Sequence, residues 1–114
     1  MSTRSKGKTY EDMAMEFLQQ KGFALVERNF TISGGEIDLI MTDKDFIVFV
    51  EVKSLNPKSE FSIYESITTR KKKFLKRAIN HWLLENDSVD KPWRVDFVGI
   101  IGATIEYYEF IDIN

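Results

Sequence analysis

Residues 36–53 constrain the fold more than any other part of the chain, because they contain two strand-forming runs separated by four polar residues. The first run is EIDLIM (36–41) and the second is FIVFVEVK (46–53). Runs that are rich in Val, Ile and Phe and that flank a short polar segment predict a β-hairpin. We expect TDKD (42–45) to form a tight turn, with a loop of either two or four residues, that pairs Met41 with Phe46.

Side chains alternate between the two faces of a strand, so this register divides the hairpin into two faces. One face carries only apolar residues, namely Ile37, Leu39, Met41, Phe46, Val48, Val50 and Val52. The other face is apolar near the turn and ionised at the open end, where it carries Glu36, Asp38, Glu51 and Lys53. A hairpin with this much apolar surface on both faces must be covered on both sides, which predicts a central position in an α/β sheet.

Helical periodicity occurs on both sides of the hairpin. The TYED sequence at 9–12 is typical of a capping box, and the apolar spacing that follows predicts a helix over 9–21. A second helix is expected over 69–85, further strands over 23–30, 93–101 and 104–111, and a loop over 56–66. The predicted order is therefore α-β-β-β-α-β-β, a mixed sheet flanked by helices.

Length and composition limit the class of protein. The 114 residues are expected to form a flexible N-terminal tail over 1–8 and a single domain over 9–114, since domains commonly contain roughly 100–200 residues. The absence of Cys excludes disulfides, zinc ribbons and thiol catalysis, and the single His81 argues against a Ser-His-Asp triad. No run is apolar enough to span a membrane, and residues 1–8 do not resemble a secretory signal. We therefore expect a cytoplasmic protein without a membrane partner.

Carboxylates and a lysine converge at the open end of the hairpin. In the expected register Glu36 lies opposite Glu51, with Asp38 as its diagonal neighbour, and opposed like charges destabilise a sheet unless they are neutralised. Lys53 on the same face could neutralise them, and so could a divalent cation between Asp38 and Glu51. Oxygen ligands without His or Cys select Mg²⁺ or Mn²⁺. A cation held by two carboxylates beside a lysine is suited to phosphodiester hydrolysis.

The same residues also admit a simpler interpretation. Strand ends often carry charged side chains that face solvent, and Glu51 with Lys53 would then be an ordinary surface ion pair. Glu11, in the first turn of the first helix, suits the helix dipole without any further role. Both interpretations stay open on the residues alone.

The second helix begins with a concentration of positive charge. Six of the eight residues from 70 to 77 are basic, namely Arg70, Lys71, Lys72, Lys73, Lys76 and Arg77. Cations in a first turn oppose the helix dipole, and a helix start that tolerates them often faces a phosphate. The run therefore indicates a nucleic-acid contact, with a solvated helix face as the alternative.

Two motifs, GEIDLI (35–40) and FVEVK (49–53), resemble those of the YraN-like family of small bacterial predicted endonucleases. The surrounding frame agrees over residues 7–100, with Arg28, Lys71 and Arg94 among the matching positions. That family is grouped with the PD-(D/E)XK, restriction-endonuclease-like nucleases and is similar to archaeal Holliday-junction resolvases. The resemblance implies a restriction-endonuclease-like αβββαβ core, with the site at the mouth of the central hairpin.

Carried over position by position, the resemblance implies that Asp38 and Glu51 bind the metal together with the carbonyl of Val52. It also implies that Lys53 is the catalytic lysine and that Glu11 is a supporting acid. The residues expected to bind nucleic acid, DNA more than RNA, are Arg28, Arg70, Lys71, Lys72, Lys73 and Lys76. The resolvase likeness also implies a homodimer.

These implications describe a Mg²⁺- or Mn²⁺-dependent endonuclease that acts on DNA, either branched or single-stranded. Two alternatives stay open. One is a catalytically silent nucleic-acid-binding module held by the basic run over 70–77, and the other is a protein-interaction domain whose carboxylate face binds a basic partner.

Overall fold

A computed structural model describes residues 9–55 and 67–114 of the chain. Within these residues the helices and strands are α1 (Tyr10–Gln20), β1 (Ala24–Ile32), β2 (Gly35–Asp43), β3 (Phe46–Leu55), α2 (Thr69–Glu85), β4 (Trp93–Ile101) and β5 (Thr104–Tyr108). The predicted order is confirmed, whereas the predicted tail over 1–8 and loop over 56–66 lie outside the described residues. Neither described helix is long and apolar enough to cross a membrane.

The strands form one mixed sheet in the order β1-β2-β3-β4-β5. Neighbouring strands are antiparallel except for β3 and β4, which are parallel. A parallel pair needs a crossover connection, and α2 lies within that connection. The expected mixed sheet flanked by helices is therefore confirmed, and it is consistent with a restriction-endonuclease-like core.

Helices cover both faces of the central hairpin, as its apolar pattern predicted. Beneath α1, Ala14 and Leu18 pack in a cluster with Leu39, Met41, Val48 and Val50. The cluster beneath α2 includes Ile40, Ile47, Phe49, Leu75, Ile79 and Trp82. Burying each Val, Leu, Ile, Phe or Met side chain stabilises the fold by roughly 1.5–3 kcal/mol, so the two clusters fix the helices on opposite faces. Ile37, which strand alternation assigns to the α1 face, packs in the α2 cluster.

The turn of the central hairpin has two residues, one of the two expected lengths, but the predicted pairing of Met41 with Phe46 is wrong. The structure pairs Phe46 with Asp43, because β2 extends to Asp43 while β3 begins at Phe46 as predicted. Only Lys44 and Asp45 remain between the strands, with Lys44 in the left-handed region at φ 56°. The register therefore differs from the prediction by two residues.

This difference changes which carboxylate lies beside Glu51. A slip of two residues does not by itself move a side chain to the other face, since strand side chains alternate with a period of two. The last registered pair towards the open end is Leu39 with Val50. If this register is continued by one residue along each strand, Asp38 rather than Glu36 falls opposite Glu51.

The last strand also ends earlier than expected, at Tyr108 instead of residue 111. A buried ionic cluster accounts for this end. Asp96 is fully buried and accepts hydrogen bonds from Arg94 Nε (3.0 Å), from the Tyr107 hydroxyl (2.5 Å) and from the backbone N–H of Phe110 (3.2 Å). An unpaired buried carboxylate would cost several kcal/mol, so these donors hold the C-terminal residues against β4.

Gly35 allows α2 to approach the start of β2 closely. A Cβ atom at this position would lie 2.7 Å from the backbone oxygen of Phe74 and 3.1 Å from the Cβ of Ala78. Any larger residue would therefore push the helix away from the sheet. This contact sets the height of α2 above the open end of the hairpin.

Candidate metal centre

Asp38 and Glu51 lie where β2 and β3 separate. Asp38 Oδ2 accepts a hydrogen bond from the backbone N–H of Val52 at 2.8 Å, which ties this carboxylate to the strand that carries Glu51. Glu51 is only 4% exposed, and Asp38 is partly buried. The two carboxyl groups predicted as metal ligands are therefore brought together by the fold.

A cavity of about 330 Å³ opens over this pair. Its walls come from β1, β2, β3 and α2, and the lining residues are Thr31, Ile32, Gly35, Glu36, Asp38, Glu51, Lys71, Phe74 and Leu75. A cleft with apolar walls and a few convergent polar groups is typical of a binding or catalytic site. Glu36 faces this cavity, as predicted from strand alternation.

Burial raises the pKa of both carboxyl groups, to about 6 for Asp38 and to about 7 for Glu51. The negative charge of Asp38 raises the pKa of Glu51 further, and Glu11 acts on Asp38 in the same direction. The positive charge of Lys71 opposes both shifts. Two partly desolvated carboxyls therefore coexist at a cost to stability, which a bound cation would reduce.

Lys71 of α2, rather than Lys53 of β3, is the lysine that contacts the pair. Lys71 Nζ lies 3.1 Å from Glu51 Oε2. Lys53 is exposed and forms no hydrogen bond or ion pair with any residue that the structure describes, so the surface ion pair with Glu51 does not form. The catalytic role of Lys53 stays a prediction.

The sequence placed Lys71 only within the basic run and missed its contact with Glu51. One signal was nevertheless present. Lys71 stands in the first turn of α2, which contains no acidic residue to balance it. A cation at that position opposes the helix dipole, which favours an acidic partner elsewhere in the fold.

Glu11 and Arg28 form a second charged group beside the site. Arg28 Nη2 lies 3.6 Å from Glu11 Oε1, and Arg28 Nη1 lies 2.8 Å from Asp12 Oδ1. Asp12 also completes the predicted capping box with Thr9. The buried Nε of Arg28 has no hydrogen-bond partner within the described ranges. Arg28 is thus held by α1, and its predicted contact with nucleic acid stays a prediction.

The basic side chains of α2 point in different directions. Only Lys71 lines the carboxylate cavity, while Arg70 lies 5.2 Å from the ring centroid of Phe74. A second cavity, of about 290 Å³, is lined by further basic residues, namely Lys72, Lys73 and Lys76. Lys76 Nζ also donates a hydrogen bond to Asn114 Oδ1 at 2.8 Å. Whether these residues bind nucleic acid stays a prediction.

The donor set is suited to a hard divalent cation. Within residues 9–55 and 67–114 there is no group of three or more His, Cys, Asp or Glu side chains that could hold a metal ion. The side-chain ligands at this site would therefore be the two carboxylates of Asp38 and Glu51. The N–H and C=O of a strand residue point to the same side, so the Val52 carbonyl faces the side of β3 on which Asp38 lies. Mg²⁺ commonly binds one or two carboxylates and completes its shell with water and phosphate oxygens.

Comparison with known sequences identifies relatives along most of the chain. The profile of the uncharacterised protein family UPF0102 matches residues 10–100. A UPF0102 protein of Carboxydothermus hydrogenoformans is 38% identical over 100 residues, which cover 88% of this chain and 85% of the relative. One of Photobacterium profundum is 43% identical over 104 residues, covering 90% and 83%. One of Legionella pneumophila is 39% identical over 103 residues, covering 90% and 87%.

Proposed function

The chain belongs to the UPF0102 family, the YraN-like family that its motifs resemble, and we propose that it is a Mg²⁺- or Mn²⁺-dependent endonuclease of the PD-(D/E)XK type that acts on DNA. One observation carries the proposal. Asp38 and Glu51 share a cavity at the mouth of the central hairpin, where burial raises the pKa of both. A fold selected for stability alone gains nothing from two such carboxyls, whereas a cation site requires them.

In this proposal Asp38, Glu51 and the Val52 carbonyl hold the cation. A bound cation would polarise the phosphoryl oxygen and lower the pKa of an attacking water. The N–H of Val52 orients Asp38, and Lys71 orients Glu51, so both carboxylates are positioned before substrate arrives.

Lys53 and Glu11 have supporting roles. Lys53 is exposed and lies two residues after Glu51 on β3. Its ammonium group can orient the attacking water or interact with the negative charge that develops on the phosphate. Glu11 adds negative charge from α1, since it raises the pKa of Asp38.

The basic surface of α2 supports a nucleic-acid substrate. Lys71 lines the carboxylate cavity, and Lys72 and Lys73 line another cavity on the same helix, so α2 offers cations to a bound strand at both places. Phosphate contacts of this kind give binding without sequence preference. Branched or single-stranded DNA, and a homodimer that binds it, follow from the resolvase likeness and stay predictions.

The test is cleavage of labelled DNA in Mg²⁺ or Mn²⁺, using a four-way junction, a duplex and a single strand. We expect the wild type to cleave at least one substrate, and Asp38→Asn or Glu51→Gln to reduce the rate at least about 100-fold. The matched control is Asp45→Asn, in the exposed hairpin turn, which should cleave like the wild type. Cleavage that survives Asp38→Asn, or a wild type that cleaves none of the three, would contradict the proposal.

A catalytically silent nucleic-acid-binding module is the second candidate. The ion pair between Lys71 and Glu51 favours it, because this ammonium group already neutralises one of the two carboxylates. DNA binding that weakens steeply with salt and that is never followed by cleavage would support this alternative.

A further inference from the structure

Lys71 occupies the position that a cation bound to Glu51 would need. Lys71 Nζ lies 3.1 Å from Glu51 Oε2, and the side chain of Glu51 is only 5% exposed, against 36% for Lys71. Because the buried carboxylate has little access to water, an ammonium group and a divalent cation compete for it. A cation that binds Glu51 therefore has to displace Lys71 or weaken its ion pair.

The backbone of Lys71 is fixed while its side chain is able to move. Its N–H donates a hydrogen bond to Thr68 Oγ1 at 3.1 Å, which caps α2, and the close contact of Gly35 with Phe74 holds this part of the helix against β2. The flexible four-carbon stem of a lysine allows its ammonium group to reach several positions from one backbone site. Lys71 can thus exchange partners without any movement of α2.

Once it leaves Glu51, the ammonium group of Lys71 finds no acidic partner within its own helix turn. The first turn of α2 contains no acidic residue, and the helix dipole places partial positive charge there. An anion at this position would interact favourably with both the ammonium group and the dipole. The backbone phosphate of a DNA strand that enters the cavity is such an anion.

We propose that Lys71 is a positioning residue that exchanges Glu51 for a DNA phosphate when a divalent cation binds Glu51. This inference rests on the proposed function. It makes cation binding and DNA binding mutually favourable, because each ligand stabilises the same arrangement of Lys71.

The first test is calorimetric titration of the whole chain with Mn²⁺. Lys71→Met should bind Mn²⁺ about tenfold more tightly than the wild type, since no ion pair has to be broken. Lys91→Met removes the same charge at an exposed position that does not line the cavity, and it should change the affinity by less than about twofold. If Lys71→Met does not fold, Lys71→Gln replaces it, because glutamine can still donate a hydrogen bond to Glu51 but has no charge.

The second test measures the coupling between the two ligands. Binding of an uncleavable DNA junction is followed by fluorescence anisotropy with and without Mn²⁺. We expect Mn²⁺ to tighten DNA binding by the wild type and by Lys91→Met, and to tighten it at least about threefold less for Lys71→Met. A lysine with a purely structural role would affect stability but would not change this ratio.

The outcomes distinguish this inference from the proposed function. If the wild type binds Mn²⁺ and Lys71→Met binds it equally or more weakly, the exchange by Lys71 is wrong and the metal site stands. Tighter Mn²⁺ binding by Lys71→Met would also refute the exchange if Mn²⁺ still tightened DNA binding by this variant as much as it does for the wild type. If neither the wild type nor Lys71→Met binds Mn²⁺, with or without DNA, the proposed function fails and the inference fails with it.

Discussion

Replacing Asp38 with asparagine should stabilise the metal-free protein, because it removes a charge that the folded state keeps at a cost. Burial is the main reason that the pKa of this carboxyl rises from 3.8 to about 6. The folded chain therefore binds this proton more tightly than the unfolded chain does, and stability falls as the pH rises from about 4 to about 6. At pH 8 this pKa shift lowers the free energy of unfolding by about 3 kcal/mol, which is the upper limit of the stability that Asp38→Asn can restore.

The free energy of unfolding of wild type and Asp38→Asn is measured by urea denaturation in EDTA. At pH 8 we expect Asp38→Asn to be more stable by about 1–3 kcal/mol, since its side-chain oxygen can still accept the hydrogen bond from Val52 but the charge is gone. At pH 4 the wild-type carboxyl is protonated in the folded state, so the difference should shrink to about 0.5 kcal/mol.

Asp12→Asn provides a matched control of opposite sign. The pKa of Asp12 lies below its usual range, mainly because the carboxylate accepts a hydrogen bond from Arg28. A hydrogen bond from the backbone N–H of Thr9 lowers the pKa further. The stability that Asp12 contributes is therefore present above pH 4, so its replacement should destabilise the protein at pH 8. Unchanged or lower stability of Asp38→Asn at pH 8, or an equal gain at pH 8 and pH 4, would refute the reasoning.

Two further predictions concern the metal and the docking of α2. The rise in melting temperature caused by millimolar Mn²⁺ should be larger at pH 8 than at pH 5.5. The reason is that the carboxyl of Glu51, whose pKa is about 7, must lose its proton to bind metal. An equal rise at both pH values would argue against Glu51 as a ligand. Gly35→Ala should destabilise the protein by about 1–3 kcal/mol in urea denaturation, because the new Cβ would lie 2.7 Å from the backbone oxygen of Phe74; wild-type stability would contradict this close contact.

Local patterns were sufficient to predict the elements and their order. The capping box at Thr9 and Asp12 forms, and α2 begins and ends at the predicted residues 69 and 85. The central hairpin lies between two helices, as its two apolar faces required. These features depend on residues close together in the chain, which is why periodicity and capping residues reveal them.

The register of the hairpin could not be obtained in the same way. Apolar alternation has a period of two, so it is unchanged when one strand slips by two residues against the other. The turn sequence over 42–45 is compatible with either a two-residue or a four-residue connection. Only the folded sheet selects the pairing of Asp43 with Phe46, and with it the approach of Asp38 to Glu51.

The sequence by itself determined the element order, the covered hairpin and the identity of the candidate carboxylates, since each is encoded by neighbouring residues. The tertiary structure alone decided which lysine contacts Glu51. Lys53 is close to Glu51 in sequence but exposed, whereas Lys71 reaches it from another element at 3.1 Å. That contact depends on the height of α2 above the sheet, which the packing at Gly35 sets and which no local pattern encodes.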